Sequence, residues 1–134
     1  MNVLPIDIAV ANLFRNDTSK RQPAFMACGL HIPDAIAFYR RLRVLHTIVG
    51  PDDAIELALI AYTVADPNYN EANTLPIVTP EGKYVYGHAL VTLPRMRPHG
   101  MSATIGIMRE QFPNATHFYG FRGTRKTRLM PLWR

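Results

Sequence analysis

The chain has 134 residues, 48% of them hydrophobic, which is enough for one core and one domain over residues 1–134. No apolar run reaches the roughly 18 residues of a membrane span, and the start MNVLPIDIAVANLFRND lacks a secretory signal's basic lead, so a soluble, cytoplasmic protein is expected. The formal charge of +5 is uneven: from Arg95 onward eight basic residues stand against one acid, Glu110, giving +7 there and leaving −2 for residues 1–94. Such an asymmetry predicts an anionic partner, either a phosphorylated cofactor, an acidic protein or a nucleic acid.

Ile6, Val10, Leu13 and Phe14 fall at helical spacing, and Pro5 suits a helix start, so a helix is expected over about 4–16. The next stretch, DTSKRQPAFMACGLHIPDAI, holds the pair Lys20-Arg21, an apolar run with the single cysteine, Cys28, and then Pro33-Asp34, which open a short helical turn. A lone cysteine in an apolar segment reads as a buried thiol rather than a nucleophile. Residues 43–64 carry two β-rich runs about Gly50-Pro51-Asp52-Asp53 and predict a hairpin. A helix competes for residues 54–64, because Asp53 and Glu56 resemble a capping box and AIELALIAY has good helix propensity. Residues 65–76, ADPNYNEANTLP, read as loop.

Tyr84 to Leu93 alternate, with Tyr84, Tyr86, His88, Leu90 and Thr92 on one face and Val85, Gly87, Ala89, Val91 and Leu93 on the other. Both faces are apolar enough for an interior strand. A loop, PRMRPHG, leads to a helix whose face is Met101, Ile105, Met108 and Phe112 and which stops at Pro113-Asn114. Gly106 within it hints at close packing. THFYGF, the turn Arg122-Gly123-Thr124 and RKTRLMPL then predict a terminal hairpin with Pro131 at an edge. The fold class is therefore α+β (α/β), with a mostly antiparallel sheet and flanking helices.

The strand, basic loop and helix start form the candidate binding site. Unpaired helix N–H groups, the partial positive charge there, and Arg95, Arg97 and His99 would together suit an anion. Neither a Walker loop nor a dinucleotide fingerprint is present. The five histidines fall singly, without metal-ligand spacing, so no metal is expected. His88, a polar residue on an apolar strand just before the basic loop, is the candidate general base, with a hydrogen-bonded core histidine as the alternative.

Arg97-Pro98-His99-Gly100-Met101-Ser102 resembles the Q/R-x-x-G-x-G/A signature of the GNAT acyltransferase superfamily, with serine at the final small position. MREQFPNATHFYGFRGTRKTRL resembles a branch of GNAT-like proteins, the RTX toxin-activating lysine acyltransferases, whose corresponding helix ends in a Met-Arg-x-x-Phe-Pro type sequence before a basic strand pair. On that resemblance VLHTIVGPDDAIELALIAYTV is the central hairpin, and NDTSKRQPAFMACGLHIPDAI is the segment that carries the branch's catalytic histidine. Lys20 occupies the histidine's place, before Arg21-Gln22-Pro23. The aspartate expected before the loop is also missing, and His88 is the one ionisable side chain between Tyr86 and Leu93.

The resemblance implies an acyltransferase with no tightly bound cofactor. Arg95, Arg97, His99, Gly100, Met101 and Ser102 would hold the phosphates of an acyl-CoA or of an acyl carrier protein's phosphopantetheine, and His88 and Lys20 would be the catalytic candidates for transfer to an amine. The alternative is a non-catalytic accessory protein of phage or plasmid type. Its basic C-terminal hairpin, with Arg122, Arg125, Lys126 and Arg128 beside Phe118, Tyr119, Phe121 and Trp133, would bind nucleic acid or an acidic protein partner.

Overall fold

A computed structural model describes residues 2–17, 31–71, 76–122 and 125–133. The first helix, α1, spans Pro5–Arg15, with Pro5 in its first turn and the Leu4 N–H donating to Asp7 Oδ2 at 2.8 Å. It buries Val10, Ala11 and Phe14. The short turn expected at Pro33-Asp34 is a full helix, α2, over Ile32–Arg41. Its buried face, Pro33, Ile36, Ala37 and Tyr39, packs against α1 and the sheet, and that tertiary burial is what propensity alone does not reveal. Arg40 joins the two helices through a 2.8 Å ion pair with the fully buried Asp7.

Strands β1 (Leu45–Val49) and β2 (Ile55–Val64) form the expected hairpin, so residues 55–64 are strand rather than helix. The turn is closed by Gly50 N–H donating to Ala54 O at 2.8 Å, with Asp53 at φ 61°. Aspartate tolerates that left-handed geometry better than most side chains. β2 wins as strand because it is interior to the sheet and buried on both faces: Ala58, Ile60, Tyr62 and Val64 meet α1 and α2, while Leu57, Leu59 and Ala61 face the opposite side.

β3 (Tyr84–Thr92) runs antiparallel to β2, and β4 (His117–Arg122) runs parallel to β3. The outer edge of β4 carries β5 (Arg125–Lys126) and β6 (Met130–Pro131), giving a six-stranded sheet in the order β1-β2-β3-β4-β5 with β6 also on β4. Pro131 sits on this edge strand, where its missing N–H costs no ladder bond. Between β3 and β4, residues Pro94–His99 form a 3-10 helix that runs into α3, Gly100–Gln111. α3 covers the second sheet face, where Met108 packs with Leu57, Leu59, Val85, Phe118 and Leu132. Gly106 is exposed, and a side chain there would meet nothing within 4 Å, so it marks no close packing.

The alternation expected along residues 84–93 breaks at His88. Ile60 pairs with Ala89 and Ala61 with Gly87, so His88 is an extra residue in β3, a β-bulge. The bulge puts His88 and Ala89 on the same face: Tyr84, Tyr86, His88, Ala89 and Val91 look toward α1 and α2, and Thr92 turns to the α3 side beside Gly100.

Candidate functional site

β3 and β4 pair only from Tyr84↔His117 to Gly87↔Gly120. Beyond that rung β3 continues to Thr92 along β2, while Phe121 and Arg122 of β4 turn to Lys126 and Arg125. Thr127 fixes the departure: its N–H donates to Gly120 O and its Oγ1 accepts from Gly120 N–H, both at 2.9 Å. The last rung favours glycine, since a Cβ on Gly120 would stand 3.0 Å from the Gly87 carbonyl oxygen and press the two strands apart. The sheet is thus split beside the start of α3.

On the α3 side lies a cleft of about 580 Å³, with Met101 and Ile105 of α3, Phe118 of β4 and Met130 of β6 as apolar walls. Arg125, Lys126, Thr127 and Arg128 complete it. Met101 is 58% exposed, so the first residue of the predicted apolar helix face is uncovered at this cleft while Met108 is buried. Lys126 also places Nζ 5.1 Å from the centroid of the Tyr119 ring.

The six expected anion-binding residues divide. Met101 lines the cleft. Gly100 is buried against Thr92, and its N–H donates to Arg97 O. Ser102 Oγ donates to His99 O at 3.4 Å. Arg97 and His99 are exposed outside the cleft's lining. Arg95 is held by Asp52 at 3.1 Å and Glu56 at 3.0 Å, so the acids of the β1–β2 hairpin neutralise it. The stretch 94–99 was expected as an open loop; Pro94 and Pro98 fix helical φ values, and it winds as a 3-10 helix. The cations of the cleft come instead from the opposite wall, where Arg125, Lys126 and Arg128 of the expected basic hairpin meet the helix start. Arg122 ends β4 opposite Arg125. Lys20 and Cys28 lie outside the described residues.

His88 sits one residue past the last β3–β4 rung, on the face away from the cleft. Its Nε2 is 3.0 Å from Glu71 Oε2 and 3.2 Å from the Tyr39 hydroxyl, and its Nδ1 is 3.0 Å from the Tyr86 hydroxyl. Glu71 also accepts from Tyr39 at 2.6 Å and from Tyr62 at 2.8 Å. Burial lowers the His88 pKa below its ordinary value, against the opposing pull of the Glu71 charge. Burial and then Glu71 raise the Tyr39 pKa, and burial, then the Tyr69 hydrogen bond, then Glu71 raise that of Tyr62. The geometry of His88 is that of the hydrogen-bonded core histidine, one of the two alternatives, one residue past the last β3–β4 rung. Glu71, Tyr39 and Tyr62 were not legible as site residues. Glu71 lies in a polar loop and Tyr39 in a helix with its own core face, and only the fold brings them to β3.

No family model and no curated protein matches the sequence. Among solved structures the chain is similar to GphF, a GNAT-like decarboxylase in complex with isobutyryl-CoA, with a TM-score of 0.59 and 15% identity. The match covers 85% of this chain and 60% of that one, so the chain spans less than two thirds of the neighbour's length. The fold is GNAT-like. Among the described residues no helix is long and apolar enough to cross a membrane.

Proposed function

We propose that the protein binds an acyl thioester of coenzyme A, or of a carrier's phosphopantetheine, in the cleft between α3 and the β5–β6 segment, and transfers the acyl group to an amine. The observation that carries this reading is the cleft itself: apolar walls and a cationic wall, between the start of α3 and the β4–β6 edge of the sheet. Met101, Ile105, Phe118 and Met130 suit the pantetheine arm and a short acyl chain, and Arg125 and Arg128 suit its phosphates. The positive end of α3 adds to that field. The isobutyryl-CoA bound to the GNAT-like neighbour supports the same ligand class. An amine acceptor follows from the resemblance to lysine acyltransferases; His88, the general base expected for such an attack, is buried on the sheet face away from the cleft.

Titration calorimetry with isobutyryl-CoA, acetyl-CoA and an acylated carrier protein tests this directly. Saturable binding of at least one donor is expected. Failure of all three to bind refutes the reading.

A second reading rests on the exposure of Arg125 and Arg128 along the sheet edge: an accessory protein that docks nucleic acid or an acidic protein there. Salt-dependent retention on DNA or RNA that coenzyme A does not displace is its expected signature.

A further inference from the structure

Met101, Ile105 and Arg109 follow one another at i, i+4 and i+8, and so share one stripe of α3. At the first of these turns Met101 is exposed, while by Met108 the helix lies buried against Phe118 and the fully buried Leu132. The cleft therefore has an open end at the start of α3 and a closed end farther along it. Ile105 is the last α3 residue on its wall. One turn on, Arg109 reaches across to the C-terminal segment: its Nε–H donates to Leu132 O, and its guanidinium carbon stands 5.5 Å from the Trp133 ring centroid. That segment is held on its other side by β4 and the residues before it, with Leu132 N–H donating to Thr116 O and Trp133 Nε1–H to Ala115 O, both at 2.9 Å. β6 depends on such anchors, because it is two residues long and Pro131 has no N–H to give. Met130, its other residue, is an apolar wall of the cleft.

We propose that Arg109, clamped between α3 and the Leu132–Trp133 segment, is a positioning residue that closes the inner end of the cleft and restricts its ligand to short acyl chains. The clamp rests on the thioester-binding reading above and deepens it by setting the class of acyl group. Polarity decides which way such a ligand lies. Its phosphates carry charge that is costly to take out of water, so they stay at the open end, and the acyl chain, the apolar end of the molecule, points inward along Ile105, Phe118 and Met130. A short branched chain ends within those walls. A longer one meets the packed Met108 and Leu132, and it gains room only by driving the C-terminal segment away from α3. That movement breaks the charge-assisted hydrogen bond to Leu132 O and parts the guanidinium from the Trp133 ring. Arg109 touches no part of the thioester in this arrangement; it acts by holding Leu132, and with it Met130, in place.

Calorimetry with isobutyryl-CoA and octanoyl-CoA on the wild type, Arg109→Ala and Arg109→Lys tests the clamp. The wild type should bind the isobutyryl ligand about 10-fold more tightly, the cost of forcing extra methylenes into a packed end. In Arg109→Ala the two affinities should come close to parity, and Arg109→Lys, which keeps a cationic donor for Leu132 O and for the indole face, should restore most of the preference. The ratio of the two affinities is taken on one folded population, so a general loss of stability does not move it. Trp133 is the sole tryptophan of the chain, and its emission reports the clamp without any ligand: it should shift in Arg109→Ala and return toward the wild type in Arg109→Lys. Trp133→Ala, at an exposed position, loosens the clamp from its other side and should move the affinity ratio in the same direction, which keeps the test open if Arg109→Ala does not fold. A wild type that binds both thioesters equally, or variants that keep its preference, would overturn the clamp's role and leave thioester binding intact. A wild type that binds neither overturns both.

Discussion

Replacing Arg125 and Arg128 together by alanine separates the phosphate role of the cleft from its apolar role. Both side chains are exposed, so each phosphate contact works against water and is worth about 0.5–1 kcal/mol, the upper range of exposed ion pairs rather than that of buried ones. Two such contacts amount to about 1–2 kcal/mol, or roughly a 5- to 30-fold weaker Kd for isobutyryl-CoA. Isobutyryl-pantetheine, which has the thioester and the arm but no phosphate, should bind the variant as it binds the wild type, because Met101, Ile105, Phe118 and Met130 remain. Raising the salt concentration should shrink the difference between the two ligands. Arg95→Ala serves as the control: its charge is already taken by Asp52 and Glu56, so the affinity for isobutyryl-CoA should not change. Calorimetry on the three proteins with both ligands reads all of this. Equal losses for the two ligands, or a loss in Arg95→Ala matching that of the double variant, would refute the assignment of the phosphates to the β5 wall.

Asp7→Ala should cost about 3 kcal/mol in urea unfolding, at the low end for a broken buried pair because Arg40 is 27% exposed. Burial raises the Asp7 pKa, but the hydrogen bonds from Arg40 and the Leu4 amide outweigh it and hold the group below the ordinary 3.8. The unfolded chain therefore binds the proton first as acid is added. The ion pair's contribution is complete above about pH 5 and is lost as pH falls toward the folded value. A wild-type stability flat from pH 6 to pH 3, or an Asp7→Ala protein with the same acid dependence, would contradict this. Gly106→Ala should stabilise the protein by about 1 kcal/mol, since the position is helical, exposed and clear of neighbours. A lower melting temperature would show that the glycine has a packing role after all.

The periodic segments were legible before the fold. The helical spacing of Val10 and Phe14 marked α1, the turn residues at 50–53 marked the β1–β2 hairpin, and the change from period two to a helical period after Leu93 marked β3 and α3. Those signals are local, since each depends on residues that are neighbours along one element. α2 was reduced to a turn because a single-sequence pattern does not show the Tyr39 and Ile36 burial that sustains it. Residues 55–64 were divided between helix and strand because a short, wholly buried run has no diagnostic period.

The sequence by itself determined that this is one α+β chain with an apolar strand, a helix start and a basic C-terminal segment, and it singled out His88. Only the tertiary structure decided which of those pieces form a site. The cations expected beside the helix start did not line it, because Arg95 lies within reach of two acids some 40 residues earlier in the chain. The arginines expected to serve a separate surface became a wall of the same cleft, because β5 folds back along β4. The bulge at His88 reversed the facing of the residues after it, and Glu71, 17 positions earlier, arrived at its ring. Charge pairing, strand register and long-range hydrogen bonding depend on distances across the fold, and distance along the chain does not encode them.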